Sequence, residues 1–304
     1  MKSIAILGGS GFVGEYIIDE LLESGYSVKM IKRNQSASHP RGGCLEVVVD
    51  LYSDLLHEQL RGCDCVIYNI GIIREFPNRG ISFKDLHQDL TIHAIDMAQR
   101  AGVRKFILMT ANGVERCLTN YEKTKFKAEQ HLMSSALQWT IFRPSVIFGD
   151  PKEKMEFCTQ VKKDMVRPPL PLPMFFSGIN IFNAGLFRMS PVHVKNVAQF
   201  FVGAIDKEDS NQKIYELGGT ASYSWREILQ IISDACGKRK WSMPVPIGVI
   251  KLMAFFFDRF SWFPVTRDQL TMLAQGNVCE SGNYYSDFNI DEITFDTTAL
   301  EYLS

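Results

Sequence analysis

The sequence predicts an α/β protein built on a doubly wound parallel sheet. Through Asp150, short apolar runs alternate with helical patterns, the cadence of repeated strand–helix–strand units. The runs are apolar at nearly every position, as strands covered on both faces require. A glycine-rich turn joins the first run to the first helix.

The strands expected in chain order are Ser3–Leu7, Ser27–Ile31, Leu45–Val49, Cys65–Asn69, Lys105–Met109 and Trp139–Phe142. The helices expected are Phe12–Glu23, Asp54–Leu60, Phe83–Ala101, Asn120–Ser135 and Val194–Ile205. The rhythm breaks after Asp150. Arg167-Pro-Pro-Leu-Pro-Leu-Pro173 excludes regular helix, because proline lacks the amide and clashes with the preceding turn. The last stretch, Glu280 to Ser304, holds six acids and no base, yet its Tyr284, Tyr285, Phe288, Phe295, Tyr302 and Leu303 favour a docked tail over a disordered one.

A length of 304 residues suits one large or two fused domains. The net charge of −1 argues against a nucleic-acid partner. Seven scattered cysteines without CxxC spacing read as reduced thiols, and no metal site is expected. The chain enters a strand at Ser3, so no signal peptide is expected. The greasiest stretch, Ile247–Phe257, is interrupted by Lys251 and closed by Asp258, too short to span a bilayer. The expected location is cytoplasmic, with membrane-surface association left open.

Gly8-Gly9-Ser10-Gly11-Phe12-Val13-Gly14 follows a buried strand and opens a helix. Glycines let the backbone turn sharply and approach a pyrophosphate, which the free amides of the helix N-terminus then hold. Gly8, Ser10, Gly11, Phe12, Val13 and Gly14 are read as dinucleotide-binding. At the end of the second strand, an acid would bond the adenosine ribose and a base would accept a 2′-phosphate. Here Lys32-Arg33-Asn34 contains no acid. Arg33, with its planar fork, is the preferred phosphate partner, Lys32 and Arg41 weaker ones, and the cofactor read is NADP(H) over NAD. Asp50 and Leu51 are placed at the adenine. Asn69, Ile70 and Gly71 are placed at the pyrophosphate and nicotinamide ribose.

These residues, with Gly102-Val-Arg-Lys-Phe-Ile-Leu-Met109, Tyr121-x-x-x-Lys125 and Arg143-Pro-Ser-Val-Ile-Phe-Gly149, resemble the extended and atypical short-chain dehydrogenases/reductases, the epimerase/dehydratase-like group. More narrowly, Pro264-Val-Thr-Arg-Asp-Gln-Leu-Thr-Met-Leu273 and Gly276-Asn-Val278 are similar to the NADPH-binding accessory subunit family of respiratory complex I. The resemblance implies a doubly wound Rossmann sheet with a small C-terminal substrate-capping domain. It implies a dinucleotide-binding domain over 1–150, to which 191–220 returns, and a smaller substrate or partner domain over 151–190 and 221–304. Pro144 and Val146 are then placed beside the nicotinamide. Many relatives have Asp where this chain has Asn196, so a charge-dependent contact is expected to be lost there.

Tyr121 and Lys125 share one helix face. A nearby ammonium favours the phenolate and eases proton exchange with an alcohol or carbonyl, while the same Lys can bond the nicotinamide ribose. Catalytic relatives usually supply a Ser at the end of the fifth strand. Here Thr110 keeps a hydroxyl and Asn112 offers an amide. Thr110 is read equally as a substrate-oxygen donor or as a strand-end hydroxyl bonded to local backbone. His87 is read as a helix-face residue in preference to a direct role, His193 as structural, and Asp150 and Glu153 as surface acids. Pro168–Pro173, Phe175, Phe176, Phe182, Phe187 and the apolar run Ile247–Phe260 are read first as the core of the smaller domain. The second reading is a pocket or membrane-surface face for a quinone-, isoprenoid- or lipid-like substrate. Two functions follow: an NADPH-dependent oxidoreductase or epimerase of a small or apolar carbonyl/alcohol, and a non-catalytic NADPH-binding redox-sensor or assembly subunit.

Overall fold

Residues 1–33, 42–257, 266–281 and 283–304 are described by a computed structural model. Arg41, Phe260, Pro264 and Val265 lie outside them. The first half runs β1 (Ser3–Leu7), α1 (Phe12–Glu23), β2 (Ser27–Lys32), β3 (Cys44–Val48), α2 (Leu55–Leu60), β4 (Cys65–Tyr68), α3 (Leu90–Arg100), β5 (Lys105–Met109), α4 (Asn120–Ser134) and β6 (Gln138–Pro144). Then come β7 (Ile147–Phe148), α5 (Phe157–Val161), β8 (Leu172–Phe176), β9 (Arg188–Met189), β10 (Val192–His193), α6 (Val194–Asp206) and β11 (Lys213–Leu217). The chain closes with β12 (Tyr223–Ser224), α7 (Trp225–Ala235), β13 (Ser242–Pro246), α8 (Ile247–Phe257), α9 (Arg267–Gln275) and α10 (Tyr284–Asp287). Each strand and helix expected from the apolar pattern is present, with ends shifted by a residue or two. The exception is the third helix, whose first part, Lys84–Asp89, is a π-helical turn leading into α3.

The chain divides into two compact units. The first comprises Met1–Pro144, Val194–Glu216 and Asn283–Asp291; the second comprises Ser145–His193, Leu217–Gly282 and Glu292–Ser304. The central sheet has seven strands in the order β11–β6–β5–β4–β1–β2–β3, and β1 to β6 pair in parallel. Chain order reverses at β1, which lies between β2 and β4. The crevice at the carboxyl ends of β1 and β4 is therefore the topological switch point, the expected seat of a ligand.

Ala5, Leu7, Val66, Tyr68, Phe106 and Leu108 are buried against Leu56, Ala94, Ile95 and Leu132 of the flanking helices. Phe142 anchors a second cluster with Phe201 (ring centroids 4.7 Å apart), Tyr215 and Phe288. Phe288 and Tyr285 also meet Phe200, each at 5.2 Å, so part of the acidic C-terminal stretch is docked by its aromatic rings. Its later part, Phe295, Leu300 and Leu303, is buried with Phe148 and Trp225 in the second unit. The Phe-rich segment divides. Phe175 and Phe176 are buried as core, whereas Phe182 is 83% exposed. Among the described residues, no helix is long and apolar enough to cross a membrane.

Asn196 on α6 is fully buried, and its amide donates to the Asp291 carbonyl (2.8 Å) and to Gln199 Oε1 (3.0 Å). An aspartate here would set a carboxylate against two acceptors. The departure at this position thus suits the chain's own backbone path. Asn196→Asp is expected to cost about 2–3 kcal/mol by urea unfolding, the penalty of an unpaired buried acceptor. A change below about 0.5 kcal/mol, the scatter of neutral surface changes, contradicts it.

Candidate active site

The turn after β1 is shaped by what glycine omits. Gly8 has φ +93°, and an added Cβ would lie 2.6 Å from the Asn69 carbonyl carbon. A Cβ on Gly14 would fall on the Gly8 carbonyl oxygen and 2.7 Å from Gly9 Cα. Gly11 is the N-cap of α1 and supplies no side-chain cap, so the first amides of the helix are not capped by that residue. Ser10 and Gly11 are exposed, Phe12 is half-buried and Val13 is buried. Asn69 follows the neighbouring strand, β4; its Oδ1 is buried and has no partner among the described residues. A bare backbone cradle and an orphaned acceptor fit the polar edge of a bound dinucleotide.

At the end of β2 the two basic residues part. Lys32 is buried and pairs with Glu46 at 2.5 Å, which removes it as a phosphate partner. Arg33 is exposed. Its charge opposes the upward shift of the Tyr52 hydroxyl, which is due first to burial and then to Asp85 and Asp89. Asp50 Oδ1 accepts the Tyr52 amide at 3.1 Å, and Leu51 is buried. Ile70 is half-buried and Gly71 exposed.

α4 begins at a reciprocal cap. Thr119 Oγ1 accepts the Glu122 amide (3.2 Å), and Glu122 Oε2 accepts the amides of Leu118 and Thr119 (2.8 Å each). This cap fixes the turn carrying Tyr121. Lys125 Nζ lies 5.5 Å from the Tyr121 ring centroid. The position of a Cβ on Gly71 is 3.5 Å from Lys125 Nζ and 3.7 Å from His87 Nε2. Tyr121 meets His87 edge-on at 5.1 Å and Phe83 at 5.5 Å, while Phe83 stacks on His87 at 5.2 Å. The structure thus gathers Tyr121, Lys125, Gly71, Phe83 and His87. His87 is buried and belongs to this group. Its place on the π-helical turn is the kind of irregularity found at functional sites.

Burial sets the charges here. It pushes the Tyr121 hydroxyl up, with Glu122 adding to the shift, so the expected lowering by Lys125 does not occur in this structure. Burial brings Lys125 down to about 8, opposed by Glu129. Burial, then Lys125, brings His87 down to about 2, leaving the ring neutral. His87 Nε2 accepts the Ile72 amide at 3.0 Å, which assigns the proton to Nδ1, and Nδ1 is buried with no partner among the described residues.

Thr110 ends β5. Its hydroxyl donates to Glu129 Oε1 (2.5 Å) and lies 3.5 Å from the Phe142 carbonyl. Arg143 grips the same carboxylate through Nε (3.0 Å) and Nη2 (2.6 Å) and reaches Glu115 at 2.9 Å. Glu129 is fully buried. The Asn112 backbone N–H donates to the Pro144 carbonyl at 2.9 Å, and Pro144 is buried. Val146 is half-buried in the second unit. Sequence reasoning missed Glu129 and Arg143 as a pair. Glu129 repeats the four-residue step of Tyr121 and Lys125, a stripe that marks an acid on their face.

This fold and its glycine-lined switch point define an NAD(P)-binding protein of the extended short-chain dehydrogenase/reductase, epimerase-like type. The chain belongs to the NAD(P)H-binding family, whose family model matches residues 8–167. It is 24% identical over 268 residues to the mitochondrial NADH-ubiquinone oxidoreductase 40 kDa subunit of Neurospora crassa, covering 86% of this chain and 67% of that one. It is 24% identical to the photosystem II assembly factor Ycf39 of Trieres chinensis, covering 99% of this chain and 92% of that one. Among solved structures, UDP-glucose 4-epimerase of Thermus thermophilus in complex with NAD has the same fold. The TM-score is 0.73 at 16% identity, covering 99% of this chain and 97% of that one.

The lowered Lys125 has a measurable consequence. The unfolded lysine keeps a pKa near ~10.4, against about 8 in the fold. Between those values the unfolded chain binds the extra proton, so this residue makes stability rise with pH. Lys125→Met is expected to remove that part of the rise, and to be more stable than the parent below pH 8, where the parent buries an ammonium. Urea unfolding at about pH 7 and about pH 9.5, bracketing the lower pKa and approaching the upper one, checks this. Parallel profiles for parent and variant contradict it.

Proposed function

We propose that the chain is an NADP(H)-dependent oxidoreductase, or an epimerase by the same chemistry, acting on a small or apolar carbonyl/alcohol. The observation that carries this reading is the placement of Tyr121 and Lys125 on one face of α4 beside Gly71. Gly8, Ser10, Gly11, Phe12, Val13 and Gly14 are assigned to the pyrophosphate. Arg33 is assigned to the 2′-phosphate, Asp50 and Leu51 to the adenine side, and Asn69, Ile70, Gly71, Pro144 and Val146 to the nicotinamide side. The bound dinucleotide supplies or accepts the hydride. Tyr121, protonated in the resting site, gives its phenolic proton to the carbonyl oxygen in reduction and takes it back in oxidation. Lys125 holds the ribose and lowers the cost of the phenolate. His87, packed edge-on against Tyr121, holds that ring in position. Thr110 acts on position through Glu129, and Asn112 through the turn it ties to Pro144.

The alternative is a non-catalytic NADPH-binding sensor or assembly subunit. One observation favours it: the hydroxyl standing where catalytic relatives keep a Ser is committed to Glu129. The names of the Neurospora and Trieres relatives suit this reading too.

Tyr121→Phe separates the two. The enzyme reading expects turnover of carbonyl or quinone substrates with NADPH to fall about 10²–10⁴-fold, the weight of a general acid. NADPH affinity should stay within a few-fold. Retained turnover refutes the assignment of Tyr121, and full complementation of a deletion strain by Tyr121→Phe supports the alternative. Arg33→Ala is expected to weaken NADPH about 10–100-fold, the value of a charge-assisted bond, while leaving NADH unchanged. Equal effects on both cofactors would leave Arg33 a loop charge and NADP(H) unsupported.

A further inference from the structure

Two tyrosines from different parts of the sheet close on one turn of backbone. The Tyr52 hydroxyl donates to the Asp85 carbonyl at 2.9 Å, and the Tyr68 hydroxyl donates to the Leu86 carbonyl at 3.0 Å. Both carbonyls belong to the π-helical turn Lys84–Asp89, and the next residue in that turn is His87. A π turn is rare and occurs mostly as a single interruption of an α-helix. Here the Asp85 carbonyl also accepts the Leu90 amide across five residues. The tyrosines add bonds from outside the helix, and a side chain that bonds into the helical ladder is a known cause of such irregularity.

The two tyrosines differ in what else they meet. Tyr68 is buried in the core of the sheet. Tyr52 is 44% exposed and follows Asp50 and Leu51 after β3. Its backbone N–H donates to Asp50 Oδ1, and its ring stacks on His93 with centroids 6.5 Å apart. Burial, then Asp85 and Asp89, hold its hydroxyl above the ordinary value against the charge of Arg33, so it stays a donor. The same turn presents His87 edge-on to Tyr121, and Phe83 touches both rings. One side chain therefore joins the segment assigned to adenosine to the turn that supports Tyr121. We propose that Tyr52 is a positioning residue: its bond to Asp85 holds the π turn, and through His87 the turn sets the Tyr121 ring for proton transfer. The proposal rests on Tyr121 being the proton donor of the reaction proposed above.

Tyr52→Phe tests it, because it removes the hydroxyl and keeps the ring on His93. Amide hydrogen exchange of the whole chain needs no substrate. Exchange at Leu90, which donates to the Asp85 carbonyl, is expected to quicken about threefold to tenfold, the weight of one net hydrogen bond. The amides of β1 and β4 should keep their parental rates. With NADPH and the carbonyl or quinone substrates of the parent, kcat should fall on the same scale while KM for NADPH stays unchanged. In a Tyr121→Phe background, Tyr52→Phe should cost nothing further, as residues acting as a unit are not additive. Unchanged exchange at Leu90 overturns the proposal, as does a kcat loss that adds in full to that of Tyr121→Phe. Faster exchange throughout the sheet also overturns it, since Tyr52 would then serve stability in general. Parental turnover in Tyr121→Phe would instead refute the assignment of Tyr121, and the positioning role with it. Local exchange at Leu90 would in that case still show that Tyr52 holds the turn, so the two failures read differently.

Discussion

The site depends on one buried carboxylate. Glu129 lies fully inside the first unit and is held by the Arg143 fork and the Thr110 hydroxyl. A charge removed from water is tolerated only when its bonds are all made, and breaking such a pair costs about 3–5 kcal/mol. Here the partners sit on β6 and at the end of β5, and the acid on α4. The bonds therefore fix the rotation of α4 against the sheet. Tyr121 and Lys125 share the face of Glu129, so that rotation also aims them. The Thr119–Glu122 cap fixes the N-terminal end of the same helix. A local cap and a longer-range ion pair together define the placement of the Tyr121–Lys125 stripe.

The second constraint is dielectric. Burial holds Tyr121 protonated, leaves His87 neutral and brings Lys125 toward neutrality. Helical spacing alone suggests that the ammonium governs the phenol. In the folded site desolvation is the larger effect, because both groups leave water together. A resting site of this kind keeps the proton on Tyr121 and leaves the His87 ring neutral, while Lys125 is still an ammonium below about pH 8.

Most of the first unit was legible because its signals are local. Strand periodicity, the Gly8–Gly14 turn and the Tyr121–Lys125 spacing each depend on residues within a few positions of one another. What escaped depends on pairs far apart in the chain. Thr110, Glu129 and Arg143 come from three segments, and nothing around Thr110 in the sequence says that its hydroxyl is already used. Lys32 and Arg33 are neighbours with the same charge, yet only the pleat and the strand opposite decide which meets Glu46. The packing of 283–291 into the first unit follows from Tyr285 and Phe288 meeting Phe200, a contact the composition of the tail allows but does not locate.

The oxidoreductase and the non-catalytic subunit share the same dinucleotide cradle and part at one proton. A substrate held beside Gly71 needs its oxygen polarised, and Tyr121 alone supplies one bond. In relatives the second bond comes from a strand-end hydroxyl; here that hydroxyl is bound to a carboxylate that stiffens the helix. That bond serves the scaffold and spends the Thr110 proton on Glu129. His87 is buried, neutral by desolvation and anchored through Nε2. Its Nδ1 is buried as well, so a substrate would reach it only if the ring or its neighbours moved. Without that movement the enzyme reading stands or falls on Tyr121.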